Sequence, residues 1–466
     1  MGYFTDEQVE AVQWYKGPLL VIGTPGSGKT TVIVNRINNL IYEYGVNPQN
    51  ILVITFTRAA ASSMRYRFLE LSDLQDTSVR FSTFHSFFYW IIRTAYGNKS
   101  SLKVMDEIEK RDACRNILKR INKELYDNEE IVSSVISQMG RMICDMIDIE
   151  NYYSSDMSTD DFRLFYEKFT SYKERNGLID FDDMVLMCYK LLKEREDILY
   201  RIREMYPYVM VDEFQDTNRI QYEILKMIVH KNRNIYVVGD DDQSIYGFRG
   251  ARPDIMLSFT KEYPEARTIR LSHNFRCPEN VVRISADIIK DNKKRFSKEL
   301  ISATGRQGLF EAASVPDVSY ENELIIKRIR KAHQEGVPYN EMAVLYRTNI
   351  SPRRLIYKLR EYAIDFSVRD ALPDIFENAA VVPVLNYISF ALGDNRRELF
   401  LTFMNKPVRY ISRDMLSDER VEMSDLIARA EGKDYLIKNI KRLFSELRTV
   451  SHLAPYAALN YIREAM

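Results

Sequence analysis

The sequence predicts an α/β fold in which parallel-sheet cores are interrupted by large helical insertions. Short apolar runs of strand length alternate with amphipathic stretches, one glycine-rich turn joins such a run directly to a helix, and a long helix-patterned block separates the second run from the third. The first run is Leu19-Leu20-Val21-Ile22, followed by the turn and the amphipathic stretch Thr31 to Tyr44. Ile51-Leu52-Val53-Ile54 is the second, and Tyr208-Val209-Met210-Val211 and Ile235-Tyr236-Val237-Val238 are the third and fourth. From Gln49 to Tyr206 there is no proline, and apolar residues such as Phe162, Phe165 and Phe169 recur at helical spacing. A mostly helical subdomain inserted into the core is expected there. After Phe275 the α/β rhythm resumes, with an amphipathic helix from Glu321 to His333 and a strand predicted at Ala343-Val344-Leu345-Tyr346. From about Asp370 onward the pattern is helical again.

Composition bounds the function classes. With 466 residues, the chain has room for about three domains of ~150 residues. Hydrophobic residues make up 45% and aromatic residues 12% of it, which excludes a disordered or low-complexity chain. The 66 Lys+Arg are matched by 66 Asp+Glu. A neutral sum over several domains still permits a local basic groove, so it does not exclude nucleic acid. Cys114, Cys144, Cys188 and Cys277 are far apart and form no Cys-x-x-Cys pair. That argues against a disulfide framework or structural zinc and for a reducing compartment. The start, Met1 to Val12, is polar and acidic, and no apolar run nears the ~18–20 residues of a membrane span. A soluble, cytoplasmic chain with no membrane partner is expected.

Three segments carry chemistry. Gly23-Thr24-Pro25-Gly26-Ser27-Gly28-Lys29-Thr30 matches G-x-x-x-x-G-K-[ST] between a strand and a helix. Glycines let backbone N–H groups curl around phosphate oxygens, and the helix N-terminus adds a positive dipole. Lys29 is expected to reach the β- and γ-phosphates and the Thr30 hydroxyl to ligate Mg²⁺, predicting an ATP-type site. Val211-Asp212-Glu213-Phe214-Gln215-Asp216 follows the third strand. Asp212 is assigned the second magnesium contact, and Glu213 the polarisation of the attacking water. Gly239 to Gly250 closes the fourth strand with Asp240-Asp241-Asp242-Gln243. Three consecutive aspartates are costly unless cations or donors stand near them, and Gln243 is placed to sense the γ-phosphate. Taken alone, such an acidic turn is most often a solvated loop, and its value lies in the company of the other two segments.

In this order, the three segments resemble superfamily-1 DNA helicases of the UvrD/Rep/PcrA type. Phe4-Thr5-Asp6-Glu7-Gln8 resembles the family's N-terminal glutamine motif, which implies that Gln8 reads the adenine edge. Thr55-Phe56-Thr57-Arg58-Ala59-Ala60 and Ser82-Thr83-Phe84-His85-Ser86 resemble its two single-strand-contacting motifs, and Asp180-Phe181-Asp182-Asp183 a short acidic motif. Asn274-Phe275-Arg276 resembles its Asn-Tyr-Arg element, implying that Phe275 stacks on adenine and Arg276 reaches the γ-phosphate. Ala343 to Thr348 and Phe403 to Ile411 resemble second-half segments. The residues support DNA independently: Phe56, Tyr246 and Phe248 offer stacking faces on loops at strand ends, and Thr55, Thr57, Thr83, His85 and Arg249 offer phosphate contacts. The competing assignment is core packing for each aromatic and a structural role for His85.

The resemblance implies a P-loop NTPase of RecA-like cores. The first core would be 1–99 and 204–273, with a helical insertion at 100–203. The N-terminal part of a second core would span 274–369, and part of a second helical insertion 370–466. It implies ATP and Mg²⁺ as cofactors, single-stranded DNA and single/double-strand junctions as partners, and 3′-to-5′ translocation driven by hydrolysis. Phe248 stands where the family usually has Trp, Phe275 where it has Tyr, and Thr31 where it has Arg. The family's Thr-Val-His…Lys-Gly-Leu-Glu segment and its arginine segment near Thr-Arg-Ala do not occur in the sequence, which is therefore expected to be C-terminally truncated and a poor motor. An arginine finger across such a cleft is worth ~10³–10⁵ in rate. The alternative is a short form that binds ATP and DNA without unwinding, as a decoy or assembly component. A P-loop kinase or transporter ATPase fits less well, because the Gln243 loop and the missing Ser-Gly-Gly signature argue against them.

Overall fold

The computed structural model of the chain describes residues 4–97, 102–121, 129–229, 233–369, 376, 378, 380–416 and 418–465. The expected domain boundaries at 99/100 and 369/370 touch residues outside that set. Two units pack separately, residues 1–311 and 312–466.

The first unit is built on a parallel sheet. Its strands are β1 (Leu19–Gly23), β2 (Ile51–Thr55), β3 (Arg80–Thr83), β6 (Tyr208–Val211), β7 (Ile235–Gly239) and β8 (Arg267–Leu271), in the order β3-β2-β6-β7-β1-β8. Two-residue strands β4 (Lys103–Val104) and β5 (Leu178–Ile179) pair within the helical block, as β9 (His273–Asn274) and β10 (Ile301–Ser302) do after the sheet. The four runs read from the sequence are the central strands, fully or almost fully buried. The edge strands β3 and β8 are half exposed and carry Arg, Ser and Thr, so their composition does not mark them as apolar runs.

Alternation along the central strands divides the core in two. Leu20, Ile22, Leu52, Ile54, Val209, Val211, Ile235 and Val237 belong to one cluster. Leu19, Val21, Ile51, Val53, Met210, Tyr236 and Val238 belong to the other. The second face is covered by α1 (Asp6–Gln13), α2 (Lys29–Tyr42) and α3 (Arg58–Ser72). The first is covered by α4 (Phe84–Tyr96) and the inserted helices α5 (Glu107–Ile121), α6 (Glu129–Cys144), α7 (Thr159–Asn176), α8 (Phe181–Glu194) and α9 (Glu196–Met205), with α10 (Arg219–Val229). The insertion thus shares its core with the sheet. Capping sets where these helices begin. Thr5, Thr57, Thr83, Ser158 and Asp180 each accept the N–H of the third residue of α1, α3, α4, α7 and α8.

The second unit is helical. Ile326, Leu355, Leu359 and Ile364 form a small cluster between Val318–Gln334 and Arg353–Glu361. A larger cluster gathers Tyr387, Phe390, Phe400, Phe403, Ile440 and Leu443. The strand expected at Ala343–Tyr346 does not form: the backbone is irregular there and Leu345 is 94% exposed. A strand needs a neighbouring ladder, and none of the described strands lies in this unit.

Candidate active site

All the residues assigned to nucleotide chemistry lie in the first unit, and all but Gln8, on α1, follow the C-terminal ends of parallel strands, where an open α/β sheet binds its ligand. The turn between β1 and α2 is tight. Gly26 and Gly28 have φ of 67° and 80°, which side-chain-bearing residues adopt at a cost. A Cβ on Gly26 would lie 2.8 Å from Asn274 Oδ1, and one on Gly28 3.0 Å from Gln8 Nε2. The loop is sewn to two neighbours. The Phe275 N–H donates to Gly26 O at 3.0 Å, and Thr24 donates twice to Leu271 O. Asn274, almost fully buried, accepts the Arg276 and Cys277 N–H groups at 2.8 and 2.7 Å. Phe275 and Arg276 are thereby held beside the loop.

Gln8 joins from the other side. Its Oε1 accepts the Thr5 N–H and its Nε2 donates to Ser27 O, both at 3.0 Å. One amide N–H remains for a base edge. A cleft of about 810 Å³ results, bordered by Gln8, Gly23's neighbours Pro25 to Thr30, Glu213, Gln243, Phe275 and Arg276. Phe4, Asn35, Arg67 and Leu71 also line it. Sequence reasoning missed Arg67 and Leu71, because nothing in the α3 sequence marks the face that meets the loop.

The acidic groups sit at the ends of β6 and β7. Asp212 is buried, and burial, reinforced by Glu213, pushes its pKa up to about 7. Asp216 rises to about 7 for the same two reasons. Glu213 adopts a left-handed backbone at φ 50°, a strain of the kind held at functional sites. Gln215, almost fully buried, donates to Glu213 Oε2 at 2.9 Å and accepts the Asp240 N–H at 2.9 Å. The two acidic turns are thus bridged by a residue without a sequence signal of its own. Gln243 Nε2 donates to Asp240 Oδ2 at 2.6 Å.

The three aspartates do find cations. Lys298 Nζ lies 2.5, 2.6 and 2.7 Å from Asp240, Asp241 and Asp242, and Arg295 pairs with Asp242. Asp240 to Asp242 are close enough to hold a metal ion, but the Lys298 ammonium already stands there.

The site fits a magnesium nucleotide on its own geometry. Ser27 Oγ and Asp212 Oδ1 are buried without a partner among the described residues, and the turn excludes any Cβ where phosphate oxygens would approach. Lys29 Nζ rests on Gly23 O at 3.4 Å, a weak bond easily exchanged for a phosphate. Thr30 lines the same cleft.

The residues assigned to nucleic acid divide into two sets. Phe56 stacks on Tyr246 with centroids 4.7 Å apart, and Tyr246 lies 6.1 Å from Phe248. The Arg249 guanidinium stands over both Tyr246 and Phe248, and Phe248 is 62% exposed. These four form one aromatic and cationic surface. The hydroxyls are engaged locally: Thr55 donates to Thr57 O, Thr57 caps α3, and buried Thr83 caps α4. His85 packs edge-on against Phe181 at 5.4 Å, and burial lowers its pKa against the opposing pull of Asp182.

Two family models match the chain. The UvrD/REP helicase N-terminal domain covers residues 4–264, and the UvrD-like helicase C-terminal domain covers residues 269–451. A Bacillus subtilis protein, YjcD, assigned as an ATP-dependent DNA helicase, is 30% identical over all of this chain and 62% of its own length. The ATP-dependent DNA helicase PcrA of Staphylococcus aureus is 32% identical over 88% of the chain and 56% of its own length. PcrA of Staphylococcus epidermidis is 32% identical over 87% and 56%. The chain therefore spans about three-fifths of the length of these relatives. Among its described residues, no helix is long and apolar enough to cross a membrane.

Proposed function

Because this chain belongs to the UvrD/Rep helicase family, we propose that it carries the ATP-binding and DNA-contacting machinery of a 3′-to-5′ DNA helicase. The observation that carries this reading is the convergence of the glycine turn, Glu213, Gln243 and Phe275-Arg276 on one cleft.

In that cleft the backbone of Gly23 to Thr30 cradles phosphates, and Lys29 leaves Gly23 O to pair with them. Phe275, 45% exposed beside the loop, stacks on the base, and the free Gln8 N–H reads its edge. Thr30 and Asp212 would hold magnesium, which would supply charge neutralisation at the phosphates. Holding it would require ionised Asp212, whose pKa burial has raised. Glu213, oriented by Gln215, polarises the attacking water. Gln243 and Arg276, which line the same cleft, are the groups proposed to meet the γ-phosphate.

Single-stranded DNA is proposed to stack on Phe56, Tyr246 and Phe248, with Arg249 on its backbone. Thr55, Thr57 and Thr83 shape the loops behind that surface, and their N-terminal helix ends and His85 add backbone contacts. Single/double-strand junctions are the proposed point of action. The RecA-like division given by the sequence, with a second core beginning at Asn274, is proposed alongside it. The four cysteines are free thiols, which agrees with a reducing cytoplasm.

The test is ATP hydrolysis by the whole chain with and without single-stranded DNA. Stimulation by the strand is expected. A magnesium-nucleotide affinity no tighter than that of Lys29→Ala would sink the reading.

A further inference from the structure

Asp240 has no exposed surface, and its carboxylate accepts two side-chain donors as well as the Asp242 N–H, which reaches Oδ1 at 3.2 Å. Oδ2 accepts Gln243 Nε2 at 2.6 Å, and Oδ1 accepts Lys298 Nζ at 2.5 Å. Lys298 Nζ also meets Asp241 Oδ1 at 2.6 Å and Asp242 Oδ2 at 2.7 Å. Arg295 adds two bonds to Asp242, at 2.9 and 2.6 Å, and the Phe296 N–H donates to Asp241 at 2.9 Å. The Lys298 side chain is 2% exposed. Burial disfavours its charge, but the three carboxylates outweigh that and raise its pKa.

A carboxylate oxygen this close to a side-chain amide accepts only its N–H end. Asp240 therefore sets the rotation of the Gln243 amide and turns Oε1 away from itself. Asp240 can do this only as an anion fixed in place. Without Lys298, the three carboxylates would keep their N–H donors but only Arg295 as a paired cation among the described residues, and one would take up a proton or swing out. A protonated Asp240 can donate, which lets the Gln243 amide flip.

We propose that Lys298 is a positioning residue for Gln243: through the Asp240 carboxylate it fixes which end of that amide meets the γ-phosphate side of the cleft. The inference rests on the reading of Gln243 as the γ-phosphate sensor. It also means that the segment after α13 (Glu279–Ile289), which carries Arg295 and Lys298, determines the sensor's geometry without touching nucleotide.

The experiment measures affinity of the whole chain for Mg²⁺–ADP and Mg²⁺–ATPγS, using a fluorescent competitor. The variants are Gln243→Ala, Lys298→Met and the double variant. The ratio of the two dissociation constants is expected to fall about tenfold in Gln243→Ala, the size of one hydrogen bond to a charged group. Lys298→Met should lower it equally, with ADP affinity moving less than about twofold, and the double variant should fall no further. A Lys298→Met ratio like the wild type overturns the proposal, as do losses that multiply in the double variant. Lys298→Gln repeats the cycle if Lys298→Met does not fold. Failure of both to fold assigns Lys298 to stability alone and also overturns it. If Gln243→Ala leaves the ratio unchanged while Lys29→Ala abolishes binding, the sensor reading itself has failed.

Discussion

At the scale of single residues, what matters is which polar atoms the fold leaves without partners. Lys29 and Asp212 are held away from full compensation, one on a long bond to Gly23 O and the other with Oδ1 unpaired. Replacing Lys29 by Ala is expected to weaken ATP binding by about 100-fold or more, read by equilibrium binding, since a charge-assisted phosphate contact is lost. Glu213→Gln should bind nucleotide like the parent and lose residual hydrolysis by about 10²-fold or more; equal turnover would remove Glu213 as the base. His85 gives a pH prediction. Burial holds its folded pKa below 6.5, so the unfolded chain takes up the proton first as pH falls. Its contribution to stability is intact above about pH 6.5 and is lost below it. The melting temperature should therefore drop between pH 7.5 and 5.5, and His85→Gln should flatten that drop.

At the scale of elements, the proposed function falls on the β1–α2 turn and the loops after β2 and β7. Gly26 is fixed by both its backbone and its neighbour, because φ is 67° and a Cβ would meet Asn274 Oδ1 at 2.8 Å. Gly26→Ala should cost about 1–3 kcal/mol in stability and displace Phe275 and Arg276, which hang from the same Asn274. Thermal melts and nucleotide titrations of that variant test both effects. The aromatic surface makes a separate prediction. Phe56→Ala and Phe248→Ala should each cost about 1–3 kcal/mol of single-strand affinity while leaving nucleotide affinity unchanged. No preference for single strands over duplex in the parent would remove the stacking groove.

At the scale of the whole molecule, all the described cleft residues fall in the unit 1–311. A fragment of those residues is expected to bind Mg²⁺–ATPγS within about threefold of the whole chain, the tolerance set by sites that share no partners. A larger loss would show that the second unit contributes to the site. DNA affinity should fall with rising salt despite the neutral net charge, because Arg249 and the helix ends act locally. The chain spans 62% or less of its relatives' lengths.

Sequence alone marks the central strands, the glycine turn and the acidic strand ends, because these depend on local patterns: an apolar run, a run of glycines, a carboxylate at a fixed offset. It did not reveal β3 and β8, whose exposed faces carry polar residues, and it placed a strand at Ala343–Tyr346 where no described neighbour supplies a ladder. It placed Thr55 and Thr83 among the nucleic-acid contacts, whereas the structure engages their hydroxyls in a loop bond and a helix cap. That Gln215 bridges the two acidic turns and that Lys298, 58 residues beyond Asp240, pairs with all three aspartates follows from how the chain folds. The physical reason is distance along the chain. Composition predicts that three adjacent carboxylates need a cation, but which of the chain's many lysines provides it depends on how the segment after Asn274 folds back against β7.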